Sequence, residues 1–136
     1  HIGDKGSIVT WNANFEKSCN TRMGIIHPEF EDFYEKVNER VVDLAIPFQQ
    51  NWFVDHRFLG SYSIKKVLPV LIPELSYKDL DINEGLLAQR KWMQAVLEDK
   101  FNDVERKKVL DDLENYCELD TLAMVEIYRF LKRLID

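Results

Sequence analysis

Hydrophobic and polar positions repeat with a helical period over most of the chain, most regularly towards its end. Leu110, Leu113, Cys117, Asp120, Met124, Ile127, Leu131 and Leu134 follow one another at gaps of three and four, the seam of a helix that buries one face. All but Asp120 are apolar. A carboxylate on a buried stripe has to be neutralised, hydrogen-bonded or placed on a metal, because a bare buried charge costs more than the helix recovers. Tyr116 lies one turn earlier, so its ring and Asp120 project from neighbouring parts of one face. Tyr116-Cys117-Glu118-Leu119-Asp120 is therefore the strongest candidate for chemistry, with the Cys117 thiol serving on the seam as a small hydrophobe.

The pattern ahead of that helix changes period. Ser7 to Trp11 is β-branched and aromatic and predicts a strand. Asn12 or Asn14 then caps a helix through about Ile25, with Phe15, Cys19 and Met23 on one face. Glu16 falls in the first turn after a strand end, where active-site groups gather on open sheets. Pro28 suits the start of a second, acid-led helix in which Phe30, Phe33, Tyr34, Val37 and Val41 keep the period. Arg40 to Leu44 fits either a short strand or a continuation of that helix, and Pro47 breaks whatever precedes it.

Gln49 to Leu59 is aromatic-rich and reads as a partly buried loop. Ser63 caps a short helix from Ile64 to Leu71, Asn83 one from about Glu84 to Asp99, and Asn102 or Asp103 opens the final segment, which has room to bend near Cys117. Trp11, Trp52 and Trp92 read as core residues. Residues 1–6 look like the end of a linker and residues 7–136 like part of one domain. The sum is an α/β chain, mostly helical, with one or two strands. A lone strand makes no sheet, so its partners are expected upstream of His1 or in another chain.

Composition narrows the function. With 46% hydrophobic and 31% charged residues the 136-residue chain can bury a core. A net charge of -6 argues against broad binding to duplex phosphates, yet leaves room for an acidic metal site that receives one strand end. Cys19 and Cys117 show no CxxC spacing, which suits a reduced, cytoplasmic setting. No apolar run approaches the roughly 18 residues of a membrane span, so no membrane partner is expected. The chain opens on His1 without a methionine, as a piece of a longer protein would.

Plainer readings stand beside the chemical ones. Asp120 can be a core acid satisfied by Lys65, a tyrosine hydroxyl or backbone. Glu16 can simply complement a helix N-terminus. Asp43 is either a third acid or, more simply, a helix cap. Lys65 and Lys66 can contact phosphate or coat a solvated helix face.

A strand followed by Asn12-x-x-Phe15-Glu16, then several helices, then Tyr116-x-x-x-Asp120 on an amphipathic helix resembles the DEDD-type exonucleases of the RNase H-like fold. The wording is closer still to a bacterial domain-of-unknown-function family assigned to that superfamily, in Arg40-Val41-Val42-Asp43-Leu44, the run from Gly60 to Pro69, and Tyr116-Cys117-x-x-Asp120-Thr121. That superfamily's first motif, Asp-x-Glu on the first strand, has no counterpart here, so the chain resembles the C-terminal part of an RNase H-like domain truncated at its N-terminus.

The resemblance implies a site. Asp120 and Glu16 would hold Mg²⁺ or Mn²⁺, Tyr116 would orient the attacking water, and Asn12 and Lys65 would contact substrate. Glu16 stands where the family more often has Asp, which lengthens its reach. Two-metal hydrolysis needs carboxylates that hold ions about 4 Å apart around one phosphate. The expected function of the full-length protein is a metal-dependent 3'-5' exonuclease acting on the strand end of DNA or RNA. The isolated chain is expected to bind metal poorly and not to cut. The alternatives are a non-catalytic helical module that binds a partner protein, with Asp120 as a buried polar anchor, or a degenerate nuclease fold. The flank left open by absent strands could drive homodimerisation.

Overall fold

In the computed structural model, residues 2–135 are described. The chain divides into two compact units inside one helix, residues up to 67 forming the first and residues from 68 the second. The first is built on a β-α-α-β run. Ile8–Thr10 (β1) and Val41–Asp43 (β2) pair in parallel, with Ile8 opposite Val41, Val9 opposite Val42 and Thr10 opposite Asp43. A parallel pair needs a long crossover, which Ala13–Ile26 (α1), a 3-10 turn at Pro28–Phe30 and Glu31–Glu39 (α2) supply. The run after Arg40 is thus a strand. The second helix closes where the Arg40 N–H donates to the Val37 carbonyl at 3.1 Å, and two valines then extend alongside Ile8 and Val9. Two parallel strands among helices match the α/β, mostly helical class.

The inward face of α1 differs from the one expected. Phe15, Cys19 and Met23 are all exposed, Phe15 at 64%. The buried line is small instead, Ala13 and Gly24, with Asn20 between them half-buried. A β-carbon on Gly24 would sit 3.5 Å from the Glu31 α-carbon, an ordinary packing distance, so α1 meets the start of α2 at this buried glycine. Amides seal the same contact: Asn20 Nδ2 donates to Asn38 Oδ1 at 2.9 Å, and Asn38 Nδ2 donates to the Lys17 carbonyl at 3.3 Å. Helix pairing through small and amide side chains leaves no hydrophobic stripe to read. In the sheet, the paired Val9 and Val42 are likewise exposed, while their neighbours on the opposite face are half-buried.

The aromatic stretch is more ordered than a loop. Ile46–Gln49 (α3) makes one helical turn with Pro47 in it, a position where the missing N–H costs nothing, and His56–Phe58 makes a 3-10 turn. Phe48 is buried at the centre of a ring cluster. Trp11 stacks on it at 5.6 Å between centroids, and Phe53 and Phe58 meet it edge-on at 5.9 and 5.8 Å. Trp11 is only half-buried, packed against the buried Phe48. Trp52 and Trp92, expected in the core, are exposed at 73% and 45%. Asn51 takes a left-handed φ of 56°. The Trp52 and Phe53 N–H groups then both donate to the Pro47 carbonyl, and Phe53 joins the cluster in place of Trp52.

Ile64–Leu71 (α4) contains the division between the units and continues through Pro69. The second unit pairs Gly85–Val96 (α5) with Asp103–Arg133 (α6). The start of α6 is fixed by a capping box. Asn102 accepts from the Val104 and Glu105 N–H groups, and Glu105 accepts from the Asn102 N–H. The helix then runs 31 residues without interruption, through Cys117. Its buried line is Val109, Ala123 and Ile127, with Leu113, Tyr116 and Asp120 half-buried between them. That stripe is turned about 50° from the seam through Leu110 and Cys117. Leu110, Cys117 and Leu134 are exposed, and the Cys117 thiol fills no core position. Covering the Tyr116 ring removes far more apolar surface from water than covering a thiol, and that sets the rotation. Among the described residues no helix is long and apolar enough to cross a membrane.

Candidate functional site

The rotation of α6 places Tyr116 on the same line as Asp120, one turn apart, and gives the acid a partner from elsewhere in the unit. Tyr77 lies in the connector between α4 and α5 and is 6% exposed. Its hydroxyl donates to Asp120 Oδ1 at 2.5 Å. The Tyr77 and Tyr116 rings lie 6.0 Å apart at 54°, so the carboxylate and two phenols form one cluster. The first residue of α5, Gly85, borders it, since a β-carbon there would stand 3.9 Å from the Tyr116 hydroxyl oxygen.

The electrostatics keep both phenols protonated. Burial, followed by the Asp120 hydrogen bond and charge, pushes the Tyr77 hydroxyl far above the ordinary tyrosine range. Burial and the adjacent Asp120 charge push Tyr116 up to about 12. At neutral pH each is a hydrogen-bond donor and neither can serve as a base. Nothing periodic in the sequence marked Tyr77. The one available signal was chemical: an aromatic with a hydroxyl, set in a short connector between helices, has to find an acceptor once it is buried.

In the first unit, Glu16 sits in the first turn of α1, directly after β1, as expected. Its Oε2 is buried and finds no hydrogen-bond partner, and so is Thr10 Oγ1 at the end of β1. Burial raises the Glu16 pKa, and the Asp43 charge adds to the rise. Asp43 proves to be a cap. Its Oδ1 accepts from the Asn12 N–H at 3.0 Å and the Ala45 N–H at 2.9 Å, and its Oδ2 accepts from the Ala13 N–H at 3.0 Å. Asn12 is held by this clamp in a left-handed conformation, φ 68°, and its own side chain caps nothing. Lys65 lies in the first turn of α4, half-buried.

The candidate residues therefore fall into two groups. Asn12 and Glu16 gather around the Asp43 end of the sheet, and Tyr116 and Asp120 gather with Tyr77. An unpartnered, buried carboxylate oxygen beside a second carboxylate is the environment that a hard cation satisfies, so Glu16 fits a metal-binding role. Asp120 is already hydrogen-bonded by both phenols, Tyr77 and Tyr116. Among the described residues no group of three or more acidic, histidine or cysteine side chains could hold a metal ion.

Residues 1–63, most of the first unit, match the model of a family described as Domain of unknown function (DUF2779). Similarity to curated proteins extends over the whole chain. It is 33% identical over 156 residues to Uncharacterized protein UU173 of Ureaplasma parvum, a match that covers 100% of this chain and 22% of that protein. It is 29% identical over 140 residues to Uncharacterized protein MG366 of Mycoplasma genitalium, covering 95% of this chain and 21% of that protein. The MG366 homolog of Mycoplasma pneumoniae is 28% identical over 143 residues, with 97% and 21% covered. The chain thus spans about a fifth of the length of the curated relatives it matches. No solved structure gives a significant match.

Proposed function

We propose that this chain is the C-terminal part of an RNase H-like domain and that the longer protein is a metal-dependent nuclease acting at a strand end of DNA or RNA. The observation that carries it is the cluster on α6, a carboxylate and a phenol one turn apart on a half-buried line. Glu16 in the first turn after a parallel strand, with a buried oxygen awaiting a partner, supports it.

Asp120 and Glu16 would each ligate Mg²⁺ or Mn²⁺. Such ions, when bound, activate a water for attack on the phosphodiester and stabilise the leaving oxygen. Tyr116, whose hydroxyl is hydrogen-bonded to Asp120, would orient the attacking water. Asn12 and Lys65 are assigned to substrate. The test is cleavage of single-stranded and duplex substrates by the longer protein with Mn²⁺ or Mg²⁺. Activity that Asp120→Asn abolishes is expected. A longer protein inert on both substrates with both ions overturns the assignment.

One observation favours a second, non-catalytic reading. The Tyr77 hydroxyl already satisfies one oxygen of Asp120, as a polar anchor in a helical interaction module requires. Under that reading Asp120→Asn weakens the α6 packing and changes no cleavage.

A further inference from the structure

We propose that the pocket between α3 and residues 51–62 takes an unpaired nucleobase of a single strand. The inference rests on the nuclease reading for the class of ligand and adds to it a subsite that no motif of the resemblance supplies. The pocket lies wholly within the first unit and measures about 240 Å³. That is below the roughly 300–1,000 Å³ of sites that enclose a whole small-molecule ligand, and it suits one planar base. Phe53, Phe58 and Tyr62 line it, and an aromatic face accepts any base by stacking. Gln49 and Asn51 line it as well, and neither side-chain amide makes a hydrogen bond among the described residues. Each amide carries donors and an acceptor, the complement of a base edge.

Charge decides between a base and a phosphate. Among the described residues the lining contains no lysine or arginine, and its one acid, Asp55, is already engaged. Asp55 Oδ1 accepts from the Arg57 N–H and Nε at 2.9 Å, and Oδ2 accepts from a guanidinium nitrogen at 2.6 Å. With a net charge of -6 on the chain, affinity for a strand has to come from stacking rather than from counterion release. The rim is built for that. Asn51 and Leu59 adopt left-handed backbone, φ 56° and 53°, and Trp52, Val54 and Tyr62 are left exposed around the opening. At the floor, the buried Phe48 also stacks against Trp11, the residue before Asn12. The pocket and the Asn12–Glu16 turn therefore share one aromatic cluster, which sets a bound base beside the end of β1.

The experiment titrates the longer protein, in EDTA so that no cleavage intervenes, against fluorescein-labelled oligothymidylate, oligouridylate and a DNA duplex. The single strands are expected to bind more tightly than the duplex and to lose less than about 10-fold in affinity between about 50 and 200 mM salt. Trp52→Ala and Tyr62→Ala should each weaken single-strand binding about 10-fold, and Trp52→Phe, which keeps a ring, should recover most of it. Both side chains are exposed, so thermal melts should match the parent. Should Tyr62→Ala unfold, the Trp52 pair carries the test alone. Alanine variants that bind as the parent does overturn the pocket's role, as does equal affinity for duplex and single strand. Variants that keep oligonucleotide binding but lose self-association in sedimentation make the pocket a protein-docking surface, and that also overturns the inference. A parent that binds no single strand overturns it too. Cleavage with Mn²⁺ by that same parent then decides separately whether the nuclease assignment stands.

Discussion

The carboxylate of Asp43 accepts the first N–H of α1, at Ala13, from the far end of the crossover. It also takes the N–H groups of Asn12 and Ala45, so one side chain ties the end of β2 to the start of α1. Removing it strands three N–H donors. Asp43→Ala is expected to cost about 2–3 kcal/mol of stability, and Asp43→Asn, which keeps one acceptor oxygen, about 1 kcal/mol. Denaturant midpoints of the two variants check the order. A loss no larger for Ala than for Asn would show that the clamp contributes little.

Glu16 gives a stability change with pH. Its pKa is raised by burial and by the Asp43 charge, so the folded chain binds the proton more tightly than the unfolded one. The associated stability is whole below the ordinary Glu value and is lost as pH rises from there through the raised folded-state value. Glu16→Gln is expected to melt higher than the parent near neutrality, with the difference shrinking towards about pH 4. Thermal melts across that interval read it directly, and an advantage that grows on acidification would reverse the assignment.

Two of the five tyrosines are expected to ionise late. Burial pushes Tyr116 up to about 12 and Tyr77 far above the ordinary tyrosine range. Both shifts are upward, so the stability they carry is whole below the ordinary tyrosine value of about 10 and drains away above it. Asp120→Asn removes the neighbouring charge but not the burial. Tyr116 should then move part of the way back, and tyrosinate absorbance against pH measures this.

The ring cluster separates two aromatics that look alike in the sequence. Phe48→Ala should destabilise the chain by about 3–5 kcal/mol, as truncation of a buried aromatic does. Trp52→Ala should stay within about 0.5 kcal/mol, since that side chain faces water. Urea unfolding of both variants gives the contrast.

How far the sequence disclosed this arrangement depended on whether burial followed hydrophobicity. Where local signals acted alone, at the Asn102 capping box and the β-branched run before Asn12, the element and its start were legible. The strand after Arg40 was ambiguous because only pairing with Ile8–Thr10 decides it, and that partner lies more than thirty residues away. The packed face of α1 was illegible in principle, because Gly24, Asn20 and Asn38 make it without a hydrophobic period.

On α6 the period was right and the phase was off. Leu113, Asp120 and Ile127 lie on both lines, and the choice between Tyr116 and Cys117 as their neighbour turned on ring area, which binary patterning ignores. The candidate acid was therefore found, while its partner Tyr77, carried by an irregular connector, was not.

The length and capping of α6 carry over into what remains once the rest of the chain has melted. It is about 46 Å of uninterrupted helix, bounded by a capping box and by Lys132 and Arg133 in its last turn, and well beyond the roughly 12–15 residues at which a lone helix becomes marginal in water. Much of its order is thus encoded locally, so the denatured ensemble retains helical content there. The far-ultraviolet signal of the unfolded chain will stand above a random-coil baseline, and any folding pathway begins with this segment partly wound.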